Sequence, residues 1–253
     1  MKEIDFEINI PRYKNWTEIA IMGDIHRGNR FFDPKEFSRY YDGTPGHKGF
    51  KDDKNMYVIT TGDLMETAMK DSLGVQDQSE WIEDQFIWTR DMLKPIADEG
   101  RLIGMIEGNH ERRASRNWLR TTRLLANDLE VPYCPGYLLT NVHLKKNGNT
   151  RDYKIAGHHG YGYARTPGGK MNAVMRMAQV VGDADAYVMG HLHDKFAKVS
   201  PIQLGGKWVE RLFGMTGAYL KYGGYVEDRL YGPPARGSLK LKLHFDIQRI
   251  TGR

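Results

Sequence analysis

Five short groups of polar residues in this sequence have the composition of a metal site. Each group follows a run of apolar residues and contains Asp, Asn or His, whose oxygen and nitrogen atoms bind divalent cations. The groups are Gly23-Asp24-Ile25-His26, Gly62-Asp63, Gly108-Asn109-His110-Glu111, His158-His159-Gly160 and Gly190-His191-Leu192-His193. Since none of them contains a cysteine thiolate, the pattern favours an ion such as Mn, Fe, Ni or Zn over a structural zinc finger.

Two of these groups carry candidate ligands two positions apart, Asp24 with His26 and His191 with His193. On an extended chain such side chains project to the same side and can reach one cluster. Each group alone also has an ordinary interpretation, such as a helix N-cap for Asp24, a turn residue for Asn109 or surface loop positions for the histidines. Their occurrence in order, each after an apolar run, favours one shared site.

The apolar runs that precede the groups predict buried central strands. They cover residues 19–22, 57–60, 102–106, 153–156 and 186–189, and each ends at glycine or polar residues. In open α/β sheets, ligands bind at the carboxyl ends of strands, where the loops converge on one crevice. The strands therefore place the five polar groups where a binding site is expected.

Other patterns complete the predicted fold. Residues 3–10 and 239–247 alternate as strands with one buried face. Helical spacing predicts a helix that begins at Ser79 as N-cap and that Pro95 kinks or ends, and further helices over 115–129 and about 171–181. Asn147-Gly148 and Gly205-Gly206 predict hairpin turns, and the Gly-, Asp- and Lys-rich residues 28–55 predict a surface excursion. We expect an α/β layered sandwich with two mixed sheets, formed by a single domain over residues 1–253.

Composition excludes several classes of protein. The chain has 253 residues, of which 40% are hydrophobic and 27% charged, so it can bury a core and is neither disordered nor fibrous. Its one cysteine, Cys134, cannot form an intrachain disulfide. We recognise neither a signal peptide nor a membrane-spanning run, and we expect a cytoplasmic protein without a membrane partner. The net charge of +5 is compatible with a polyanionic partner but names none.

The ordered set GDIH, GD, GNHE, HHG and GHLH, which spans Gly23 to His193, resembles the calcineurin-like metallophosphoesterases. The surrounding sequence is most similar to compact members of phages and bacteria, so the expected location is the cytoplasm of a bacterium or a phage-infected host. The resemblance implies a four-layer α/β/β/α sandwich and a dinuclear metal-dependent phosphoric ester hydrolase. It leaves the physiological substrate and the oligomeric state open.

The resemblance also implies roles for individual residues. Asp24, His26 and His193 would hold one divalent ion, and Asn109, His159 and His191 the other, with Asp63 bridging both; His158 is the alternative to His159. Manganese is the first expectation, with Fe, Ni or Zn as alternatives. The two ions would activate a bridging hydroxide that attacks phosphorus, and His110 would protonate the leaving group as general acid.

Candidate substrate-binding residues flank these motifs. Guanidinium groups match phosphate oxygens, so Arg27, Arg112 and Arg113 are candidates, although they could instead pair with Glu66 or Glu111. Tyr161 and Arg165 belong to a loop after His159 that could line the cleft. Arg116, Arg120 and Arg123 share one face of the predicted second helix, which is either a solvated face or a track for a polyanion.

Three functions are compatible with these residues. The first is hydrolysis of a phosphomonoester or phosphodiester. The second is a manganese-dependent nuclease of DNA or RNA, an analogy weakened because Glu66 stands where the repair nucleases of this superfamily often carry a histidine. The third is a non-catalytic scaffold like the protein of this fold in the retromer complex, for which degenerate ligand positions would be expected. All seven ligand positions and His110 are filled, so the sequence favours an enzyme.

Overall fold

The computed structural model describes residues 1–72, 74–115 and 119–253. In chain order the elements are β1 (Lys2–Asn9), β2 (Trp16–Met22), α1 (Pro34–Tyr41), β3 (Gly43–Thr44), β4 (His47–Lys48), β5 (Met56–Thr60), a 3-10 turn (Val75–Asp77), α2 (Ile82–Asp98), β6 (Leu102–Ile106), α3 (Asn109–Ser115), α4 (Thr121–Asp128), β7 (Tyr133–Cys134), β8 (Leu138–Lys146), β9 (Asn149–His158), α5 (Pro167–Val181), β10 (Ala186–Met189), β11 (Phe196–Leu204), β12 (Lys207–Met215), α6 (Tyr225–Asp228), β13 (Leu239–His244) and β14 (Ile250–Gly252).

Most strands belong to two six-stranded mixed sheets. Sheet A has the order β1-β8-β9-β10-β12-β11, and sheet B has the order β14-β13-β2-β5-β6-β7. In sheet B the neighbours β2, β5 and β6 are parallel, and in sheet A the neighbours β9 and β10 are parallel. All five strands predicted from the apolar runs are present, and the two predicted hairpin turns join β8 to β9 and β11 to β12.

The two sheets pack face to face and helices cover their outer faces. Ile19 and Ile21 of β2 share one core with Val188 of β10, whereas Met22 of β2 packs in a second core with Leu93 of α2. On the other side of the molecule α5 packs on the outer face of sheet A. Since both faces of the central strands are covered, these strands are continuous apolar runs. The four-layer α/β/β/α architecture is confirmed.

Three local predictions differ from the structure, two of them in part. Ser79 does not cap α2, because its hydroxyl donates to the carbonyl of Gly28 and the helix begins at Ile82. Pro95 lies inside α2, which continues to Asp98, so the proline does not end the helix. In the described residues, the helix predicted over 115–129 corresponds to α4, which begins only at Thr121, whereas α3 precedes the predicted range and ends at Ser115; Arg116 lies outside the described residues.

Residues 28–55 are not a surface excursion. They form α1, with Asp33 as a side-chain N-cap, and they bury Phe32, Phe37 and Phe50 in the core beneath sheet B. The Phe37 ring stacks on Tyr41 and lies edge-on to Tyr219, so aromatic packing holds this polar segment against the sheet. In the described part of the chain no helix is long and apolar enough to cross a membrane.

Arg101 fixes this segment to the start of β6. Its guanidinium is buried and donates to the carbonyl oxygens of Phe50 at 2.8 Å, Lys51 at 2.6 Å and Met56 at 3.0 Å, and its Nε donates to Glu99 at 2.7 Å. A charged donor that satisfies buried carbonyl groups contributes more than a surface ion pair does.

We expect Arg101→Met to lower the free energy of unfolding by about 3 kcal/mol, because buried carbonyl groups lose their charged donor. Urea unfolding followed by circular dichroism measures the change. The matched control is Arg12→Met, at an exposed turn position, for which the change should stay within about 0.5 kcal/mol. A loss below about 1 kcal/mol for Arg101→Met would show that the contacts are dispensable.

Candidate metal centre

The five polar groups lie where the parallel strands end. Asp24 and His26 follow β2, Asp63 follows β5 and Asn109 follows β6, and these three strands are neighbours in sheet B. Across the sandwich, His159 follows β9 and His191 follows β10, which are neighbours in sheet A. Because the sheets pack face to face, the strand ends of both contribute to one cluster.

The backbone at the candidate ligands is strained. Five of them have left-handed φ angles: Asp24 at 51°, His26 at 54°, Asp63 at 51°, His191 at 69° and His193 at 47°. A residue other than glycine pays an energetic cost for this conformation, and such residues concentrate at functional sites. The turns therefore aim the side chains into the cluster at the expense of local backbone energy.

Glycines let the two carboxylates lie directly against the backbone. A Cβ at Gly108 would lie 2.1 Å from Oδ1 of Asp63, and one at Gly190 would lie 2.4 Å from Oδ2 of Asp24. The backbone N–H of His110 donates to Oδ1 of Asp63 at 2.8 Å, and that of His191 donates to Oδ2 of Asp24 at 2.9 Å. Both carboxylates are thus buried, oriented and held in the charged form.

The side chains form overlapping groups of candidate ligands. Asp24, His26 and His193 form one group, and Asp63, His159 and His191 form another, with the ligand atoms of each group within 4.8 Å of one another. Asp63 also belongs to a group with His26 and His110. Asn109 places its Oδ1 2.7 Å from Nε2 of His159. The structure therefore brings all seven predicted ligand residues together, with Asp63 between the two sets.

The electrostatics of the cluster fit divalent cations. Burial alone would raise the pKa of Asp63, but His159 and His110 hold it well below its usual range. Burial lowers the pKa of His159, but the charge of Asp63 more than offsets this and raises it to about 9. Nε2 of His26 and Nε2 of His193 face each other at 3.2 Å, an arrangement that requires a proton or a cation at the lone pairs. Buried carboxylates and imidazoles without a thiolate suit Mn, Fe, Ni or Zn.

The structure places His159, rather than His158, in the cluster. Nε2 of His159 lies 3.2 Å from Oδ2 of Asp63, and its Nδ1 lies 2.7 Å from the carbonyl oxygen of Thr61, which fixes the tautomer with Nε2 toward the cluster. His158 instead stacks on Tyr137 and accepts the backbone N–H of Gly160.

The sequence suggested Glu66 as a partner for arginine and as a departure from the histidine of the repair nucleases, but in the structure Glu66 contacts two histidines. Its Oε2 lies 3.1 Å from Nδ1 of His26 and its Oε1 lies 3.2 Å from Nδ1 of His110, while Arg113 is farther away at 3.8 Å. A carboxylate at Nδ1 directs the other nitrogen of each imidazole toward the site. The three-residue spacing from Asp63 is the sequence signal that could have indicated this role.

Glu111 organises the turn that carries Asp63. Its Oε2 accepts the backbone N–H of Asp63 at 3.0 Å, and its Oε1 accepts those of Leu64 at 2.6 Å and Met65 at 3.1 Å. Burial and the nearby charge of Asp63 raise the pKa of Glu111 to about 7, against the opposing effect of the backbone hydrogen bonds. Glu111 is therefore a support for the turn, and among the described residues it pairs with no arginine.

The candidate substrate-binding residues divide into two sets. Arg112, Arg113, Tyr161 and Arg165 line a cleft of about 510 Å³ beside the cluster. Arg27 does not line it: its guanidinium pairs with Glu80 at 2.7 Å and lies over the Trp88 ring. Arg120 and Arg123 are exposed and are also absent from the described lining of the cleft.

The sequence profile of the calcineurin-like phosphoesterases matches residues 17–195, which include all five polar groups. The chain belongs to this family. It is accordingly a metal-dependent phosphoesterase, and the cluster at the strand ends contains groups of Asp and His that could hold a metal ion.

Two solved structures similar to this phosphoesterase have low sequence identity to it. A double mutant of Vps29 from Entamoeba histolytica is 15% identical, covers 94% of this chain and 97% of its own, and has a TM-score of 0.42. A conserved protein from Streptococcus pneumoniae, described as a predicted phosphoesterase, is 16% identical, covers 94% of this chain and 98% of its own, and has a TM-score of 0.36. No curated protein matches this chain.

We expect Glu111→Gln to weaken metal binding by about 10- to 100-fold, because an amide nitrogen would replace one of the oxygens that orient the Asp63 turn. Titration with Mn²⁺ followed by calorimetry measures the affinity. The matched control is Glu3→Gln, an exposed position of β1, which should bind as the wild type does. Unchanged affinity in Glu111→Gln would remove the proposed support role.

Proposed function

We propose that this phosphoesterase hydrolyses a phosphomonoester or phosphodiester at a centre of two divalent metal ions. The observation that carries the proposal is the position of Asp63, whose carboxylate belongs both to a group with His26 and to a group with His159 and His191. One carboxylate shared by two ligand sets is what a dinuclear site needs. Asp24, His26 and His193 would hold one ion, and Asn109, His159 and His191 the other.

Bound ions would supply charge stabilisation for the phosphoryl oxygens and an activated water as nucleophile. Manganese is the first candidate, because the donor set combines carboxylate and amide oxygens with imidazole nitrogens. The residues of the chain then have three tasks: holding the ligands in place, binding the phosphate and moving a proton to the leaving group.

His110 is the proposed proton donor, and Glu66 orients it. Nδ1 of His110 lies 3.0 Å from the carbonyl oxygen of Glu66 and 3.2 Å from its carboxylate, so Nδ1 carries a proton. Burial lowers the pKa of His110, but the charges of Glu66 and Asp63 more than offset this and raise it to about 9. Nε2 is then the atom that would face the ester.

In this structure the guanidinium of Arg113 contacts Nε2 of His110. Its Nη2 lies 3.0 Å from Nε2 of His110, and a guanidinium can only donate, so Nε2 accepts while this contact is made; the charge of Arg113 accordingly lowers the pKa of His110, against the larger effect of Glu66 and Asp63. Nη1 of Arg113 is buried without a hydrogen-bond partner in the described residues. An arriving phosphate offers this guanidinium better acceptors than an imidazole does. We therefore assign Arg113 to the phosphate. Once Arg113 moves to the ester, Nε2 of His110 takes up a proton from solvent, which the charges of Glu66 and Asp63 favour, and can donate it to the leaving oxygen.

We expect Asp63→Asn to remove phosphoesterase activity and at least one of the two metal equivalents, because the amide cannot replace a bridging charge. The assay is hydrolysis of p-nitrophenyl phosphate and its bis ester with added Mn²⁺, together with metal analysis of the dialysed protein. Asp91→Asn, at an exposed position of α2, is the control and should keep both properties. A fully active Asp63→Asn enzyme would contradict the proposal.

We expect His110→Ala to slow hydrolysis of an alkyl phosphate ester by about 100-fold or more, since the alkoxide needs a proton as it leaves. A nitrophenyl ester, whose leaving group is stable as an anion, should lose much less. The ratio of the two rates in each protein isolates proton donation from metal binding, and His47→Ala, at an exposed position of β4, is the control. Equal losses for both esters would rule out the general-acid role.

A further inference from the structure

The cleft beside the metal cluster has aromatic walls. Tyr161 and Tyr163, in the loop after His159, are 42% and 76% exposed. Phe31, from the loop after β2, and Tyr231, from the loop after α6, also line the cleft. Two exposed and two half-buried aromatic rings in one cleft, all outside the core clusters, indicate a ligand with apolar faces.

Two of these rings are stacked with guanidinium groups. The Arg30 guanidinium lies 4.9 Å from the centre of the Phe31 ring, and that of Arg165 lies 4.8 Å from the centre of the Tyr231 ring. Arg30 pairs with Asp77 at 2.7 Å, so its charge is matched. Arg165 has no carboxylate partner within the described ranges, and it lines the cleft. One positive charge is therefore available beside an aromatic ring.

The Phe31 ring is fixed by backbone. A Cβ at Gly223 would lie 2.4 Å from Cε1 of this ring, and a Cβ at Gly224 would lie 2.5 Å from Cε2. Both glycines also have positive φ angles, at 153° and 60°. The chain thus approaches the ring at a distance that only glycine allows, and the ring forms a rigid part of the cleft wall.

The charges that remain unmatched in the cleft are basic. The carboxylates of Asp63 and Glu66 are occupied by histidines, and that of Asp77 by Arg30. On the basic side, Lys221 and Arg165 line the cleft and have no ion pair within the described ranges. The cleft therefore offers flat apolar surfaces for a ring system and cations for phosphate.

We propose that the cleft binds a nucleoside, so that the ester hydrolysed at the metal centre is a nucleoside phosphate; this rests on the proposed function. A nucleobase stacks on tyrosine faces and on guanidinium planes, and its phosphate would meet Arg113 and the metal ligands. The cleft volume of about 510 Å³ suits one or two nucleotides rather than a folded partner. Two sources share this chemistry: a free nucleotide and the end of a nucleic acid strand.

Direct binding tests the base subsite. The probes are a thymidine dinucleotide with a phosphorothioate link, which slows hydrolysis, and an abasic analogue with the same sugars and link. With Mn²⁺ present, calorimetry should show the dinucleotide binding about 5- to 100-fold tighter, the contribution typical of one stacked base. Equal affinities of the wild type for the two probes would overturn the proposal.

Variants locate the subsite. Tyr163→Ala and Tyr231→Ala should each bring the affinity ratio of the two probes toward one, whereas Tyr231→Phe, which keeps the ring, should preserve it. Because the Tyr163 side chain is 76% exposed, its replacement by alanine leaves no cavity in the hydrophobic core. The control is Tyr13→Ala, at an 84% exposed position of the turn after β1, which should bind as the wild type does. An affinity ratio of the two probes that is unchanged in both alanine variants would show that the base does not bind at Tyr163 and Tyr231.

Hydrolysis of methyl p-nitrophenyl phosphate, measured in parallel with Mn²⁺, separates this inference from the proposed function. Base-dependent binding without any hydrolysis would support the nucleoside subsite and contradict the proposed hydrolysis of phosphate esters. Hydrolysis with equal binding of the two probes would support the enzyme and overturn the subsite. If a thymidine hexamer binds tighter than thymidine 5′-monophosphate and weakens as salt rises, the ligand is a strand end; equal affinities identify a free nucleotide.

Discussion

Two fully buried carboxylates, Asp24 and Asp63, set the requirements that the rest of the site fulfils. A buried negative charge is unstable unless donors and cations surround it. Backbone N–H groups from His110 and His191 meet part of that need, and the imidazoles of His159 and His193 lie within 3.3 Å of a carboxylate oxygen. The excess negative charge that raises the pKa of His159 is the same charge that attracts divalent ions.

The double sheet is the means by which those charges are assembled. Sheet B supplies both carboxylates from neighbouring parallel strands, and sheet A supplies His159 and His191 from another parallel pair. Neither sheet alone contains the complete set. The shared core between the sheets, including Ile21 and Val188, therefore determines the distance between the two halves of the site. Strained left-handed turns and glycine contacts then give the final orientation.

Much of this arrangement could be predicted from the sequence because it depends on local patterns. Short apolar runs followed by Asp, Asn or His predicted the strands and indicated the candidate ligands at their ends, since buried parallel strands have a plain signature. The role of Glu111 could not be predicted in this way, because its partners are backbone N–H groups that only the packing brings to it. For Glu66, the three-residue spacing from Asp63 was the one available signal. Arg27 shows the same limit: only the fold places it against Glu80 and Trp88, away from the cleft. The prediction of a surface excursion over residues 28–55 was wrong because it rested on the polar composition of the segment, whereas three of its phenylalanines pack beneath sheet B.

The central claim is that Asp63 lies between two metal ions. The most direct measurement is a crystal structure of the protein grown with Mn²⁺, with anomalous diffraction data that locate the manganese atoms. We predict two anomalous peaks about 3.5–4 Å apart, one on each side of the Asp63 carboxylate, the separation typical of two-metal sites. A single peak, or two peaks that do not share Asp63, would contradict the account.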